Sequence, residues 1–254
     1  MGRLDNKVAV ITGGSGGIGC AAGARFALEG ASVLLVDLNE SELTEACRSI
    51  GSNRVSYLVG DVTRAADNQA MIDTAVARYG GVDVLLANAG IEGDVASILD
   101  YDEARFDQVM AVNVKGPFLG LKSAVPAMQQ RGGGSIVITS SVAGVRGGPR
   151  LAPYVTSKHA VIGLAKSAAK EFAPLGIRVN TVNPSPVDTR MMRSIEAGIR
   201  PEDPDSVRVA MEKSVPLGRY AQAADIANVM LFLASDESAF VTGSVYMADG
   251  GSTA

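Results

Sequence analysis

A chain of 254 residues that is 47% hydrophobic and 20% charged can bury one large α/β core but not two comfortable ones, so one domain over residues 1–254 is expected. A formal net charge of −4, with no basic stripe, excludes a phosphate-backbone binder, and nucleic acid is not an expected partner. Two cysteines, Cys20 and Cys47, and the lone His159 make neither a disulfide framework nor a metal-ligand cluster; with no apolar run long enough to span a bilayer, no metal and no membrane partner are expected and the cytoplasm is the expected compartment.

The N-terminal run MGRLDNKVAVITGG meets glycines at once, unlike a secretory leader, and Asn6 stands where N-myristoylation needs Ser or Thr. Apolar, β-rich runs then follow at residues 7–12, 31–36, 55–59, 82–87, 134–140, 177–183 and 244–247. Helical spacing lies between most of them, at 18–29, 65–78, 105–129 and 153–172. Near-continuous apolar strands joined by helices predict a doubly wound α/β fold, a seven-stranded parallel sheet covered on both faces.

The first strand ends in Thr12-Gly13-Gly14-Ser15-Gly16-Gly17-Ile18-Gly19 and feeds straight into an apolar helix. Glycines allow a close backbone approach to a pyrophosphate and the helix N-terminus offers free N–H groups, the Rossmann arrangement. A generic dinucleotide pattern fits Gly14, Gly16 and Gly19; a P-loop does not fit, since no Lys-Ser or Lys-Thr follows. The second strand leads to Asp37, 18 residues after Gly19, close to the expected position of an acid that accepts hydrogen bonds from the adenosine ribose. Neither Leu38 nor the glycine loop offers a cation for a 2′-phosphate, so NAD is expected over NADP. The competing role for Asp37 is capping the next helix, which Asn39 or Ser41 can fill equally well.

The third and fourth strands end at Asp61-Val62 and Asn88-Ala89-Gly90, where strand C-termini of an open α/β sheet form the ligand crevice. Asn113 falls inside the long helical stretch between two valines; a buried amide there must find partners, and a helix distortion is one solution. Tyr154 and Lys158 stand four apart, on one helix face, where an ammonium favours the phenolate of a group that ordinarily titrates near a pKa of about 10. His159 points about 100° away from Lys158 and reads as a surface histidine. A Pro-rich, charge-mixed segment at about 185–215 carries Met191, Met192, Ile195, Ile199 and Met211, which fit either a mobile cover over an apolar pocket or a helical core stripe. Ile91, Glu92, Val142, Gly144 and Val145 are candidates for the walls of the same pocket.

Taken in order, these pieces resemble the short-chain dehydrogenase/reductase family over the whole chain. The family's glycine motif fits Thr12, Gly13, Gly17 and Gly19; the other matching pieces are Asp37, Asp61-Val62, Asn88-Ala89-Gly90, Asn113, Ser141, the Tyr154/Lys158 pair, Asn183-Pro184 and Asp249-Gly250-Gly251. Ser141 precedes Tyr154 by 13 residues, the family interval. The resemblance implies hydride transfer between NAD and an alcohol or ketone. Tyr154 would be the general acid or base, and Lys158 would hold the nicotinamide ribose and lower the Tyr154 pKa. Ser141 would hold the substrate oxygen, and Asn113 would anchor a relay water. Gly13, Ser15, Gly16, Gly17, Ile18 and Gly19 would cradle the cofactor's phosphates, Asp37, Leu38, Asp61 and Val62 its adenosine. Asn88, Ala89 and Gly90, with Tyr154, Lys158, Pro184, Val187 and Thr189, would complete the cofactor site toward the nicotinamide.

Two departures stand out: Ser185 replaces the family's usual Gly after Asn-Pro, where the loop is expected to change shape because Ser adopts positive φ poorly, and Ala87 replaces a second Asn. The expected substrate is a medium-sized, mainly apolar secondary alcohol or ketone, cyclic or aryl-substituted, and the expected assembly a homotetramer. An NADPH-linked 3-oxoacyl-carrier reductase and a non-catalytic dinucleotide sensor are the competing readings.

Overall fold

The computed structural model describes residues 2–254. Within them seven strands, β1 (Val8–Thr12), β2 (Ser32–Asp37), β3 (Val55–Val59), β4 (Val84–Ala87), β5 (Gly134–Thr139), β6 (Ile177–Pro184) and β7 (Val245–Ala248), form one sheet in the order β3-β2-β1-β4-β5-β6-β7. Every neighbouring pair is parallel, because the helical stretches between strands supply the crossovers that parallel pairing needs. The predicted strands are all present, their ends shifted by at most two residues. The helices are α1 (Gly17–Leu28), α2 (Glu40–Ile50), α3 (Ala65–Tyr79), α4 (Glu103–Met110), α5 (Gly116–Gln130), α6 (Ala152–Phe172), α7 (Arg190–Ile199), α8 (Pro204–Ser214) and α9 (Ala223–Ala234).

The pleat sorts the core into two layers, since successive side chains leave a strand on opposite faces. Ala9 and Ile11 of β1, with Val33 and Leu35 of β2, meet Phe26 of α1 and Met230 and Leu231 of α9. Val8, Val10, Leu34 and Val36 from the same strands meet Met71 of α3, Met128 of α5 and Val161 of α6. Burying each large side chain in this way is worth about 1.5–3 kcal/mol, so both sheet faces hold the frame rigid. Asn39 caps α2 by accepting from the Glu42 N–H at 3.2 Å, which leaves Asp37 outside the capping role.

Two expectations sharpen. The helix predicted over 105–129 is distorted at Asn113: α4 ends at Met110, a π turn occupies Ala111–Lys115, and α5 begins at Gly116. The cause is Asn113, 2% exposed, whose amide bonds both backbone groups of Ile91; one extra residue in the turn accommodates it. The segment at 185–215 is built largely of α7 and α8, which settles its helical character.

The order of the strands reverses direction between β1 and β4, and ligand crevices of open parallel sheets lie outside the carboxyl ends at such a switch point. All the candidate residues before Asn113 sit at or just beyond those ends.

Candidate active site

One large cavity, about 1390 Å³, runs along the carboxyl edge of the sheet, from the glycine loop and α2 at one end to α7 and α8 at the other. It exceeds the usual small-ligand pocket of about 300–1,000 Å³ and has room for two ligands end to end.

At the nucleotide end, the turn between β1 and α1 requires its glycines at specific places. Gly13 has φ +65°, and a Cβ on Gly19 would lie 2.1 Å from the Gly13 carbonyl oxygen. A Cβ on Gly16 would meet only the Gly13 carbonyl at 3.4 Å, so the generic pattern's middle glycine is the least constrained. Helix α1 starts after Gly16 with no side-chain cap, which leaves its first N–H groups and its dipole facing the cavity, an arrangement suited to a phosphate. Asp37 accepts from the Ser15 N–H at 3.1 Å and from the Ser15 hydroxyl at 2.6 Å through one oxygen, and from the Leu38 N–H at 2.8 Å through the other. An oriented carboxylate, a glycine cradle and an uncapped helix thus fit a dinucleotide.

The neighbouring strand ends are stapled to each other. Thr12 Oγ1 accepts from the N–H groups of Asn88 and Ala89 at 3.0 and 3.1 Å. The Asn88 amide donates to the carbonyls of Thr12 and Gly13 at 3.1 and 3.3 Å and accepts from the Thr139 hydroxyl at 3.0 Å. Asn88 is therefore a tie between β1, β4 and β5 as well as a wall. Asp61 spends one carboxylate oxygen on the N–H and hydroxyl of Thr63, both at 2.8 Å, and Val62 packs where a Cβ on Gly116 would come within 3.0 Å of it.

At the centre, the four residues predicted to be catalytic come together. Asn113 accepts from the Ile91 N–H at 2.8 Å and donates to the Ser157 hydroxyl at 3.0 Å; that hydroxyl donates to the Tyr154 carbonyl at 2.7 Å. A Cβ on Gly90 would lie 3.3 Å from Asn113 Oδ1 and 3.4 Å from Lys158 Nζ, so glycine lets all three converge. Lys158 Nζ donates to the Thr139 carbonyl at 2.9 Å and lies 5.4 Å from the centre of the Tyr154 ring. Its burial draws the ammonium pKa down to about 8. The Ser141 carbonyl accepts from the Asn183 amide at 2.9 Å, and its hydroxyl accepts from the Ala143 N–H at 3.1 Å. The hydroxyl also donates weakly to the Pro184 carbonyl at 3.4 Å and stands within hydrogen-bond reach of the Tyr154 phenol.

The Tyr154 expectation needs correcting. Burial raises its pKa above the ordinary tyrosine value; the Ser141 hydroxyl works the other way, and the charge of Glu92 adds to the rise. The ammonium of Lys158 is committed to a carbonyl and sits over the ring, not at the phenol oxygen, so in this state it does not offset the desolvation.

At the far end, Met191, Met192, Ile195, Ile199 and Met211 line the cavity with Ile91, Glu92 and Val142. Gly144 and Val145 do not: Gly144 is packed against Ser140 Oγ and the Lys158 carbonyl, and Val145 is 44% exposed. Ser185 is buried with its N–H directed to the Ala248 carbonyl at 3.4 Å, and it is not among the residues with positive φ. The glycine it replaces is not needed, so Val187 and Thr189 reach the cavity wall beside Pro184. His159 is exposed on α6, its Nδ1 3.0 Å from the Val155 carbonyl.

Three contributors are not apparent from sequence: Ser157, the Thr139 carbonyl, and Arg190, which crosses the mouth of the cavity to Glu42 at 2.9 Å. Ser157 carries a signal, its place on the Tyr154 side of the helix; a carbonyl and a partner 148 residues away leave none. Among the described residues, no His, Cys, Asp and Glu side chains gather at metal-ligand spacing, and no helix is long and apolar enough to cross a membrane.

Comparison with known proteins adds an independent line. The family model described as enoyl-(acyl carrier protein) reductase matches residues 13–253. Short-chain dehydrogenase reductase 3a of Arabidopsis thaliana is 41% identical over 250 residues, 98% of this chain and 96% of the relative. The 2-(S)-hydroxypropyl-CoM dehydrogenase 3 of Xanthobacter autotrophicus is 40% identical over 256 residues, covering 99% and 98%. The crystal structure of levodione reductase superposes with a TM-score of 0.95 at 34% identity, covering 98% of each chain.

Proposed function

The chain belongs to the short-chain dehydrogenase/reductase family of oxidoreductases, acting on alcohol or ketone groups, and from that premise we propose that its cofactor is NAD and its substrate a medium-sized, mainly apolar secondary alcohol or ketone, cyclic or aryl-substituted. The observation that carries the reading is the convergence of Ser141, Tyr154, Lys158 and Asn113 on one end of a glycine-lined dinucleotide crevice.

When bound, the nicotinamide supplies the hydride donor or acceptor. Gly13, Ser15, Gly16, Gly17, Ile18 and Gly19 hold the phosphates, Asp37, Leu38, Asp61 and Val62 the adenosine, and Asn88, Ala89, Gly90, Pro184, Val187 and Thr189 the remainder. Ser141 donates to the substrate oxygen and Tyr154 exchanges a proton with it. Tyr154 gives the proton in reduction and takes it in oxidation, so reduction uses the neutral phenol and oxidation gains as pH rises. Lys158, drawn to about pKa 8 by burial, remains largely protonated at neutral pH and carries protons between Tyr154 and a water held at Asn113. The Asp37 carboxylate supports NAD because it repels a 2′-phosphate. The methionines of α7 and α8 support an adaptable apolar substrate, under a cover at residues 185–215 of a single domain. We further propose a cytoplasmic homotetramer, to which the partly exposed Phe106 and Phe118 of α4 and α5 would contribute.

The acyl-carrier description of the family model favours a second reading, an NADPH-linked 3-oxoacyl-carrier reductase. Absorbance at the nicotinamide band, with NAD and NADP separately across secondary alcohols, cyclic ketones and acyl-carrier thioesters, separates the two; better turnover with NADP overturns the Asp37 argument. Tyr154→Phe is expected to lower turnover by about 10²–10⁴-fold while NADH binding stays within about twofold. Full activity in that variant would falsify the proton-transfer role.

A further inference from the structure

The nucleotide half of the cavity is lined by an unfavourable set of charges for a phosphate-bearing ligand. Asp37, Glu42, Glu45 and Asp61 all stand there, and among the described lining residues Arg190 is the one cation at that end; Lys158 stands at the centre and Arg146 lines the wall near Ser141 and Val142. A pyrophosphate carries two negative charges into this acidic surround. The uncapped N-terminus of α1 offers one counterweight, equivalent to about half a positive charge.

Arg190 is placed to offer a second. It is the first residue of α7 and follows Thr189, whose methyl carbon lies 3.1 Å from where a Cβ on Gly17 would stand. Gly17 opens α1, so the base of the arginine lies beside the helix N-terminus. Its guanidinium reaches Glu42 through two contacts, 2.9 and 3.4 Å, and the Ser15 hydroxyl is 3.3 Å from the same carboxylate. The side chain therefore already extends along the Ser15 to Gly17 stretch.

Glu42 holds it only loosely. The two side chains are 81% and 37% exposed, and exposed ion pairs contribute about 0–1 kcal/mol. A guanidinium grips a phosphate with the same two-pronged geometry it uses on Glu42, and the two charges of a pyrophosphate beside the helix N-terminus attract it more than one solvent-screened carboxylate does.

We propose that Arg190 binds the pyrophosphate of the dinucleotide, releasing Glu42 as the cofactor enters. This rests on the dinucleotide reading above. Glu42 then serves to park the arginine, extended over the loop, while the crevice is empty. The same exchange ties the first turn of α7 to the cofactor, so that the wall carrying Met191 and Met192 is anchored once the nucleotide is in place.

Isothermal titration with ADP-ribose, which has the pyrophosphate and no nicotinamide, tests the idea without turnover, alongside NADH and NADPH. The high exposure of Arg190 predicts that Arg190→Ala folds normally; Arg190→Lys provides a second variant. Arg190→Ala is expected to weaken ADP-ribose and NADH together by roughly ten- to a hundredfold, Arg190→Lys by less, and Glu42→Gln to tighten both a few-fold. ADP-ribose affinity in Arg190→Ala within about twofold of the parent protein overturns the proposal, as does a loss confined to NADPH, which would assign the arginine to a 2′-phosphate. Failure of the parent protein to bind ADP-ribose or either reduced cofactor sinks the dinucleotide reading on which the proposal rests, whereas binding of NADPH alone sinks only the choice of NAD.

Discussion

The two ends of the cavity are held by different kinds of interaction. At the sheet edge, short polar side chains bond backbone groups: Thr12 and Asn88 tie β1 to β4, Thr139 joins β5 to Asn88, and Asn113 clasps Ile91. These partners are strand ends backed by the core, so the geometry exists before any ligand arrives. Across the cavity, α7 and α8 are held by side-chain ion pairs. Asp188 receives both Arg193 and Arg208, Arg193 also reaches the buried Glu196, and Arg208 reaches Glu212. Few residues of α7 and α8 are buried, chiefly Ile195, Glu196 and Val207. Backbone-directed bonds to strand ends hold one geometry, whereas half-buried charge pairs in which Asp188 serves two arginines and each arginine two carboxylates can trade partners at small cost. One end is thus built for a constant ligand and the other for an adjustable one.

The contrast can be broken most strongly at the centre. Lys158→Met is expected to cost a hundredfold or more in turnover, yet to raise the stability of the cofactor-free protein at pH 7 by on the order of 1 kcal/mol, since the penalty of burying an ammonium outweighs the lost bond to the Thr139 carbonyl. The sign follows from linkage: with the Lys158 pKa at about 8 in the folded protein and higher when unfolded, the unfolded state holds more protons between these values. The penalty is complete below about pH 8 and fades toward about pH 10.4. Thermal melts of both proteins across that range should therefore converge at alkaline pH; a gap independent of pH would show that the ammonium is not desolvated.

A smaller effect tests the rigid end. Asn88→Ala removes three bonds and leaves backbone carbonyls unpaired, a cost of about 2–3 kcal/mol, which should lower Tm by roughly 4–10 °C and weaken ADP-ribose binding with it. A melt unchanged from the parent protein would mean that the staples between strands do not hold the crevice in shape.

The smallest effect belongs to the loose end. Asp188→Asn frees two arginines and is expected to change stability by less than about 1 kcal/mol, while KM for the ketone rises several-fold and NADH affinity stays near the parent value. Equal losses in cofactor and substrate affinity would erase the proposed division between the two ends.

Much of the rigid end is legible in the sequence. Asp37, Asn88 and Gly90 stand directly after apolar runs, and a strand end is marked by the run that precedes it. Tyr154 and Lys158 share a helix face by spacing alone. The loose end is legible only as composition: its methionines suggest a cover, but helical turns and a core stripe have the same periodicity. Neither the π turn at Asn113 nor the tolerance of Ser185 is readable in detail, because each depends on what a different segment presents to it, the Ile91 backbone in one case and the Ala248 carbonyl in the other.

Pattern along the chain suffices for the order of strands and helices, the parallel sheet, the glycine cradle and the helical pairing of Tyr154 with Lys158. Those properties follow from the local periodicity of burial and from backbone conformations that few residues can adopt. Folding adds what pattern does not contain: Lys158 spends its ammonium on the Thr139 carbonyl, burial raises the Tyr154 pKa, and Arg190 meets Glu42 across the cavity mouth. These depend on distances between segments far apart in the chain, which the sheet order sets and no spacing along the sequence records.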